Sequence, residues 1–546
     1  MKKEPNFRER AQYLISPRWG QRAYASRLKR EQETQAVRQS ATGYGNHGAS
    51  TTLNSLVGWI VGEGSAEDDI DLQGATLRKR SRDLYAGGGL AKSGVETMVT
   101  NVAGWGIQPK PEIDGEALGL SDEECDAWER QALREWRLWA ENSMCDAEHS
   151  KTFYAMQQLA FRSQLMSGDC FALFGMEKNR RTPYRLTIRI LEADRVSTPD
   201  TSGDSESVDT DGGGRIVDGV EINAAGQVVR YHITNRHPLA EMDTRSLEWV
   251  AVDAFGKDTG YPNILHVTGF ERPEQRRGIP FVAAQIEQIK QLDRYLNSEL
   301  AANVVSSMLT AFIISSEDDG RPGMEDAVNE DEKVTDDEFK IELAPGAIYD
   351  LPPGKTIKEI NPLRNNAGFE SFVNALIMIV GASMGVPKEV LIKKFDSNYT
   401  AARAALLDFW KRVKVERAGF NASFNQPVYE QWLSEAVAMG RLEAPGFFDD
   451  PAIRRAWCGC QWIGCSMGHV DPLKEVKAAG ERIALHISTE EQEAGEYNGG
   501  DWNANMRQRK RELSMAAAMG ETIQWTPTDW NENDDSGDKS GKEGKK

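Results

Sequence analysis

Residues 281–310 read FVAAQIEQIKQLDRYLNSELAANVVSSMLT, and their spacing decides how the rest of the chain is organised. Ile286, Ile289, Leu296, Leu300, Val304 and Met308 recur at helical intervals while Gln285, Lys290, Asp293 and Asn297 fall on other faces, so the stretch predicts a long amphipathic helix. No Gly or Pro interrupts it after Pro280, and at about 1.5 Å per residue it would make a rod of about 45 Å. A second helix is expected at 366–384, NAGFESFVNALIMIVGASM, where Phe369, Phe372, Val373, Leu376, Ile377 and Val380 leave hardly any polar side. A helix apolar all round must lie between several neighbours. Two core helices of one globular domain would satisfy this, and so would an antiparallel pair of rods joined by 311–365.

Composition sets the outer limits. With 546 residues, 40% of them hydrophobic, the chain is long enough for several packed regions. Lys plus Arg total 65 against 84 Asp plus Glu, and the net charge of -19 disfavours tight non-specific gripping of DNA by counterion release. Six cysteines, Cys125, Cys145, Cys170, Cys458, Cys460 and Cys465, form no disulfide framework at this length, and the start has no apolar run of signal-peptide type, so synthesis in a reducing cytoplasm is expected. No stretch approaches roughly 18 uncharged apolar residues, so no membrane contact is expected.

Upstream of the rods, residues 1–55 carry scattered cations and then SATGYGNHGASTTLN, which predicts an extended, partly disordered arm. Residues 56–280 predict an α+β body. Gly87, Gly88 and Gly89 end a helix and do not cradle phosphate, because no G-x-x-x-x-G-K-[ST] pattern follows. A helix from Ser121 carries Trp128, Leu133, Trp136 and Trp139, and another from Thr152 carries Phe153, Met156, Leu159, Ala160 and Leu165. DCFALFGM, YRLTIRILEADRVST, IVDGVEINAAGQVVRYHITN and NILHVTGF then run with β-branched residues and predict strands of one antiparallel or mixed sheet.

Between the rods, 315–343 is crowded with carboxylates, among them Glu332, Asp336, Asp337 and Glu338. A metal-dependent nuclease centre needs carboxylates converging from rigid elements, whereas these sit in a Gly- and Pro-containing loop without a His base, so a solvated loop is expected. IELAPGAIYDLPPGKTIKEI predicts two short strands with Pro-Gly turns, a small β module at the tip of the rods.

Downstream, Gly385 and Pro387 end the second rod. KEVLIKKFDSN forms a short helix and a loop in which Lys393, Lys394, Phe395 and Asn398 are presented between two long helices. Asn398 or Thr400 can cap the next helix, which carries Leu406, Phe409, Trp410, Val413, Phe420, Phe424, Trp432 and Leu433 and should kink at Pro427. Cys458, Cys460, Cys465 and His469 could supply four zinc ligands, but C-x-C-x₄-C-x₃-H fits no common structural site and no metal is expected. Asp471-Pro472, a capping box of Ser488 with Glu491, and Asp501 predict short helices up to Gly520, followed by a charged, disordered tail, 521–546.

Several blocks occur together in order: RKRSRDL with VTNVAGWGIQP, HVTGFERPEQRRGIPFVAAQIEQIKQLDRY, LAPGAIYDLPPGKTI, FESFVNALIMIVGASMGVPKEVL, NYTAARAALLDFW and HVDPLKEVKAA. In these the chain, over roughly 70–520, resembles the lambda-like portal proteins of tailed bacteriophages. YAGGGLAKSG departs from the polar, Asn-rich turn expected after RSRDL. The resemblance implies a portal fold, mainly helical, with an antiparallel or mixed sheet in the wing and a small β-containing clip. It implies a ring, usually of twelve copies, at one capsid vertex of the virion, with a central tunnel for non-sequence-specific double-stranded DNA. By position, 56–280 becomes the wing, 281–310 and 366–391 the stem, 311–365 the clip, 392–400 the tunnel loop, 401–470 the long helix and return segment, and 471–520 the crown. Implied stem-packing residues are Ile286, Ile289, Leu296, Leu300, Phe372 and Leu376. DNA contacts would fall to Lys393, Lys394, Phe395 and Asn398, and partner contacts to Glu332, Asp336, Asp337 and Glu338. Implied partners are the terminase large subunit, head-completion or adaptor proteins, and the major capsid and scaffold proteins; no enzyme activity, cofactor or metal is implied.

The alternative, a capsid-associated hydrolase or nuclease, would need a nucleophile with its base. The seven histidines are scattered outside any G-x-S-x-G or H-E-x-x-H context, and a packaging motor would need a Walker A sequence, which the chain lacks.

Overall fold

The computed structural model describes residues 24–27, 29, 53–56, 58, 59, 64–178, 181–199, 208–210, 213–308, 311–313, 348–350, 368–394, 399–466, 472–498, 500 and 502–519. The chain divides into two units, Met1–Ser65 and Ala66–Lys546. In the first, a helical turn at 24–27 sets the Arg27 guanidinium 5.5 Å from the Tyr24 ring centre.

The second unit opens with a π-helical turn, Glu67–Asp71, that runs into α1, Leu72–Ala86. The glycine break follows where expected, and α2 spans Gly89–Val102. After a turn come β1, Gln108–Pro111, and α3, Asp122–Ala140. The start of α3 is fixed by a capping box in which the Ser121 amide donates to the Glu124 carboxylate at 2.9 Å. Thr152 caps α4, Phe153–Ser167, its hydroxyl accepting from the Ala155 amide.

The strands differ from expectation in number of sheets. β2, Asp169–Met176, lies between β3, Leu186–Glu192, and β9, Ile264–Thr268, in one antiparallel sheet. A separate antiparallel meander runs β4 (Val208–Asp209), β5 (Arg215–Val217), β6 (Val220–Ile222), β7 (Val228–Thr234) and β8 (Trp249–Asp253). Alternating apolar residues mark a half-buried strand but do not say which sheet it joins, so one sheet was expected where there are two. Phe171, Leu191, Val196, Val220, Ile222, Tyr231, Ile233 and Ile264 fill a small core of their own drawn from both sheets.

The first rod is α5, Ile286–Met308, shorter at its start than the sequence suggested and about 35 Å long. The Phe281 amide donates to the Leu165 carbonyl at 2.9 Å, and Ala283–Gln285 form a 3₁₀ turn before the α-helix begins. These contacts hold the first residues of the periodic stretch off the helix axis. β10, Ala311–Ile313, and β11, Ile348–Asp350, pair in parallel, and the acidic segment between them lies outside the described residues.

The second rod is α6, Phe369–Met384, ended by Gly385 at φ 61, a left-handed conformation that glycine adopts without strain. α7, Lys388–Ile392, is followed by α8, Tyr399–Phe420. The kink expected at Pro427 is spread over a π-helical turn, Asn421–Asn425, before α9, Gln426–Ala438. The main core gathers around Trp136, which meets Phe153 edge-on at 5.2 Å and Trp432 at 5.1 Å, all three fully buried.

α10, Pro451–Trp457, leads into β12, Cys460–Ile463, which pairs antiparallel with β1. No local pattern marks this pairing, because its two strands lie more than three hundred residues apart. Cys458 is a core residue whose thiol burial pushes up to about 12. His469 lies outside the described residues, and among these no group of His, Cys, Asp and Glu is arranged to hold a metal ion.

Three helices close the described chain: α11, Pro472–Ala484, α12, Glu490–Asn498, and α13, Trp502–Ala518. Thr489 takes the N-cap expected of Ser488, its hydroxyl accepting from the Gln492 amide at 3.2 Å. Among the described residues, no helix is long and apolar enough to cross a membrane.

Candidate functional site

The feature that sets this chain apart is the α5–α6 pair and the way it is rooted. Near the body the pair is packed. Ile289 and Leu292 on α5 and Ile377, Val380 and Met384 on α6 are buried, and each such side chain stabilises by about 1.5–3 kcal/mol. The Gln285 side-chain amide donates to the Ser383 hydroxyl at 2.6 Å, and Tyr295 stacks on Phe369 at 5.6 Å and meets Phe372 edge-on at 5.4 Å. Sequence reasoning passed over Leu292; its place three residues after Ile289 and four before Leu296 is the signal that could have found it.

Other apolar side chains of the two helices are uncovered. Leu300 is 63% exposed, Leu296 39% and Val304 43% on α5; Phe372 is 51% and Ile379 57% exposed on α6. Ile286 and Leu376, half-buried, pack against the main core. The expected stem-packing residues therefore divide into a set that roots the rods and a set that faces outward.

The loop after α7 sits at the body end of the pair. Lys393 is left-handed at φ 56 and caps α7, the Lys394 amide donates to the Glu389 carbonyl at 3.1 Å, and both side chains are exposed. Phe395 and Asn398 lie outside the described residues, as do Glu332, Asp336, Asp337 and Glu338.

Immediately before α5, the sequence RRGIP ties the rod to the body through buried charge. The Arg277 side chain is fully buried. It donates to both Asp169 oxygens, at 2.7 and 3.2 Å, to the carbonyls of Ala193 at 2.7 Å, Val196 at 2.9 Å and Asp218 at 2.6 Å, and pairs with the Asp218 carboxylate at 3.0 Å. Its guanidinium also lies 5.3 Å from the Phe171 ring centre, and His266 stacks on the same ring at 4.4 Å. Asp169 accepts in addition from the Gly278 amide at 3.0 Å and pairs with His266 at 3.3 Å. Burial would raise the Asp169 carboxyl, but the Arg277 guanidinium and the His266 hydrogen bond outweigh it and hold the group well below the usual carboxylate range. Burial would lower the Arg277 guanidinium, and Asp169 and Asp218 hold it above its ordinary value instead.

Arg78 on α1 joins the same network, reaching Asp218 at 3.2 Å and Asp194 at 3.1 Å, and Arg82 pairs with Asp194. Backbone packing is equally close: a Cβ on Gly278 would fall 2.0 Å from the Gly168 carbonyl oxygen, so neither glycine tolerates a side chain. The network therefore fixes where α5 leaves the body. Sequence reasoning missed it, since an arginine in ERPEQRRGIP reads as solvated loop and no local pattern marks its burial.

Asp71, at the end of the π-helical turn, is buried without a hydrogen-bond partner for either oxygen. Burial first, then the nearby Asp218 charge, raise its carboxyl from 3.8 to about 7, against the opposing pull of Arg277. Because the folded-state value lies above the unfolded one, the stability this group contributes is complete below about pH 4 and is lost as pH rises through about 7. Asp71→Asn is expected to raise the thermal midpoint at pH 8, by on the order of 2 kcal/mol in stability, and to change it little at pH 4, as thermal melts across that range will read.

Two histidines elsewhere in the body lie beside carboxylates. His149 lies 3.2 Å from Glu177 and His232 3.0 Å from Glu221. The helices α11 and α12 meet the body across a cleft of about 940 Å³ that includes Trp410 and Trp462 in its walls. Body cations face carboxylates of those helices there: Lys110 pairs with Glu491, Lys414 with Glu496 at 3.4 Å and Arg403 with Glu475 at 3.6 Å.

A family model described as phage portal protein, lambda family, matches residues 52–417. Portal protein B of Escherichia phage lambda is 24% identical over 460 residues, covering 81% of this chain and 84% of that protein. The portal protein of Escherichia phage N15 is 24% identical over 496 residues, with 87% and 91% covered. Among solved structures, a chain from the neck of a native GTA particle computed with C12 symmetry aligns with a TM-score of 0.36 and 11% identity, over 77% of this chain and 92% of that one.

Proposed function

Because the chain belongs to the lambda family of phage portal proteins, we propose that its copies close into a ring, of about twelve by the family's habit, at one vertex of the capsid. In this reading α5 and α6 are the stem, 311–365 the clip, 392–400 the tunnel loop, 56–280 the wing, 401–470 the long helix and return segment, and 471–520 the crown. The observation that carries the reading is the outward apolar face of Leu296, Leu300, Val304, Phe372 and Ile379. A long uncovered apolar face on a pair of rods whose roots are firmly packed is what side-by-side copies would cover.

The acidic balance fits a conduit. A chain with a net charge of -19 repels phosphate overall, which favours duplex DNA sliding past it where a basic surface would hold it. Lys393, Lys394, Phe395 and Asn398 would touch the passing duplex, and Glu332, Asp336, Asp337 and Glu338 would meet the terminase large subunit during packaging and the head-completion proteins afterwards. The protein then does no chemistry of its own; it works in the virion as a gate and a dock, beside the major capsid and scaffold proteins.

Size-exclusion chromatography with light scattering, followed by negative-stain imaging, tests the reading. The expected result is a particle of many 60.8 kDa copies with a central hole. A compact single subunit with nuclease or ATPase turnover would overturn it.

A further inference from the structure

The sequence MRQRKRE within α13 places four cations, Arg507, Arg509, Lys510 and Arg511, in five consecutive positions of a chain whose net charge is -19. Their arrangement on the helix separates them. Arg509 is half-buried and pairs with Glu512 at 3.6 Å. Arg507, Lys510 and Arg511 stand at i, i+3 and i+4 and so share one arc; all three side chains are exposed and make no ion pair among the described residues. Glu512, the one carboxylate of the helix, projects from the opposite side and is engaged by Gln508 as well, at 3.2 Å. The two preceding helices have the contrary character, with Glu475, Glu491 and Glu496 turned to body cations.

We propose that the Arg507, Lys510 and Arg511 arc is a phosphate-binding surface for the duplex DNA held beside the crown, an electrostatic contact that positions DNA without reading its sequence. The proposal rests on the portal reading for the presence of DNA. Side chains at i, i+3 and i+4 start about 5–6 Å apart, and phosphates of one strand advance about 3.4 Å along the duplex axis, so long flexible cations on this arc reach two or three phosphates of one strand. The acidic balance of the chain repels DNA, which keeps the contact weak enough per subunit to release. Repeated around a ring, the arcs would form a girdle of positive charge on an otherwise negative particle.

Fluorescence anisotropy of a labelled duplex of arbitrary sequence, titrated with the full-length protein from about 50 to about 200 mM salt, tests this. Arg507→Gln/Lys510→Gln/Arg511→Gln is expected to weaken binding at least tenfold at the lower salt and to make the log-log salt slope shallower by about two to three per bound subunit. Binding and slope equal to wild type would overturn the proposal. So would a wild-type protein that ignores the duplex but binds polyglutamate, which would assign the arc to an acidic protein. Should the triple variant misassemble, Lys510→Gln alone reads the same quantity, with a slope change of about one expected and no change counting against the arc. Light scattering on the same samples separates the two ideas. A ring whose DNA binding ignores the substitutions sinks only this inference, while a single subunit that binds through the arc sinks only the ring.

Discussion

Arg277→Met is expected to destabilise the fold by about 3–5 kcal/mol, a large fraction of the stability of a folded domain. The substitution removes one guanidinium and leaves the Asp169 carboxylate with the Gly278 amide and His266, the Asp218 carboxylate with Arg78, and the carbonyls of Ala193, Val196 and Asp218 without this donor. Asp169 is fully buried, so its uncompensated charge cannot recover solvation. Urea unfolding of purified protein will show the loss as a lower midpoint. Adding Asp169→Asn to the Arg277→Met variant should restore about 1–2 kcal/mol, because the amide oxygen still accepts from the Gly278 amide while the stranded charge is gone. A single variant that unfolds within about 1 kcal/mol of wild type would show that the network does not bear on stability.

The second large effect concerns assembly. Leu300→Glu combined with Ile379→Glu should convert the proposed ring to single subunits while leaving the thermal midpoint of the subunit within a few degrees of wild type. In the single chain the two side chains are 63% and 57% exposed, so a carboxylate at either position stays solvated and costs little. Between copies the same carboxylates would be desolvated without a partner, at a cost of several kcal/mol repeated at every interface of the ring. Light scattering reads the result directly. A ring that survives both charges would place the interface elsewhere on the subunit.

What the sequence made legible is what local pattern encodes. Gly385 ends α6 as expected, the helix expected from Ser121 starts there as α3, and the glycine break between α1 and α2 falls at Gly87 and Gly88. The tryptophans at helical spacing in α3 are core residues, because large apolar rings recurring on one face have no stable place in water. What escaped depends on distant partners. β1 and β12 are more than three hundred residues apart and pair through backbone groups that any side chain carries. Arg277 sits among polar loop residues, and only the folded arrangement of Asp169, Asp218 and three carbonyls marks it as interior. Thr489 displaced Ser488 as a cap because both can accept the bond and one residue of register decides between them. The rods, in contrast, were visible as apolar stripes, though their uncovered residues could not be told from their rooted ones without the body in place.

The ionic core has a consequence for descent. One guanidinium serves groups from the 168–169 corner, the 193–196 turn, the hairpin at Asp218 and its own loop, and each group would be left wanting if the others changed first. Replacing Arg277 alone leaves the buried Asp169 charge without its cation, and replacing Asp169 alone removes the two-oxygen partner of a buried guanidinium, so lineages alter this spot most readily by exchanging both together. The strap that aims the first rod should on that account drift far more slowly than the surfaces around it, and in any relative where it has changed, Arg277 and Asp169 should have changed as a pair.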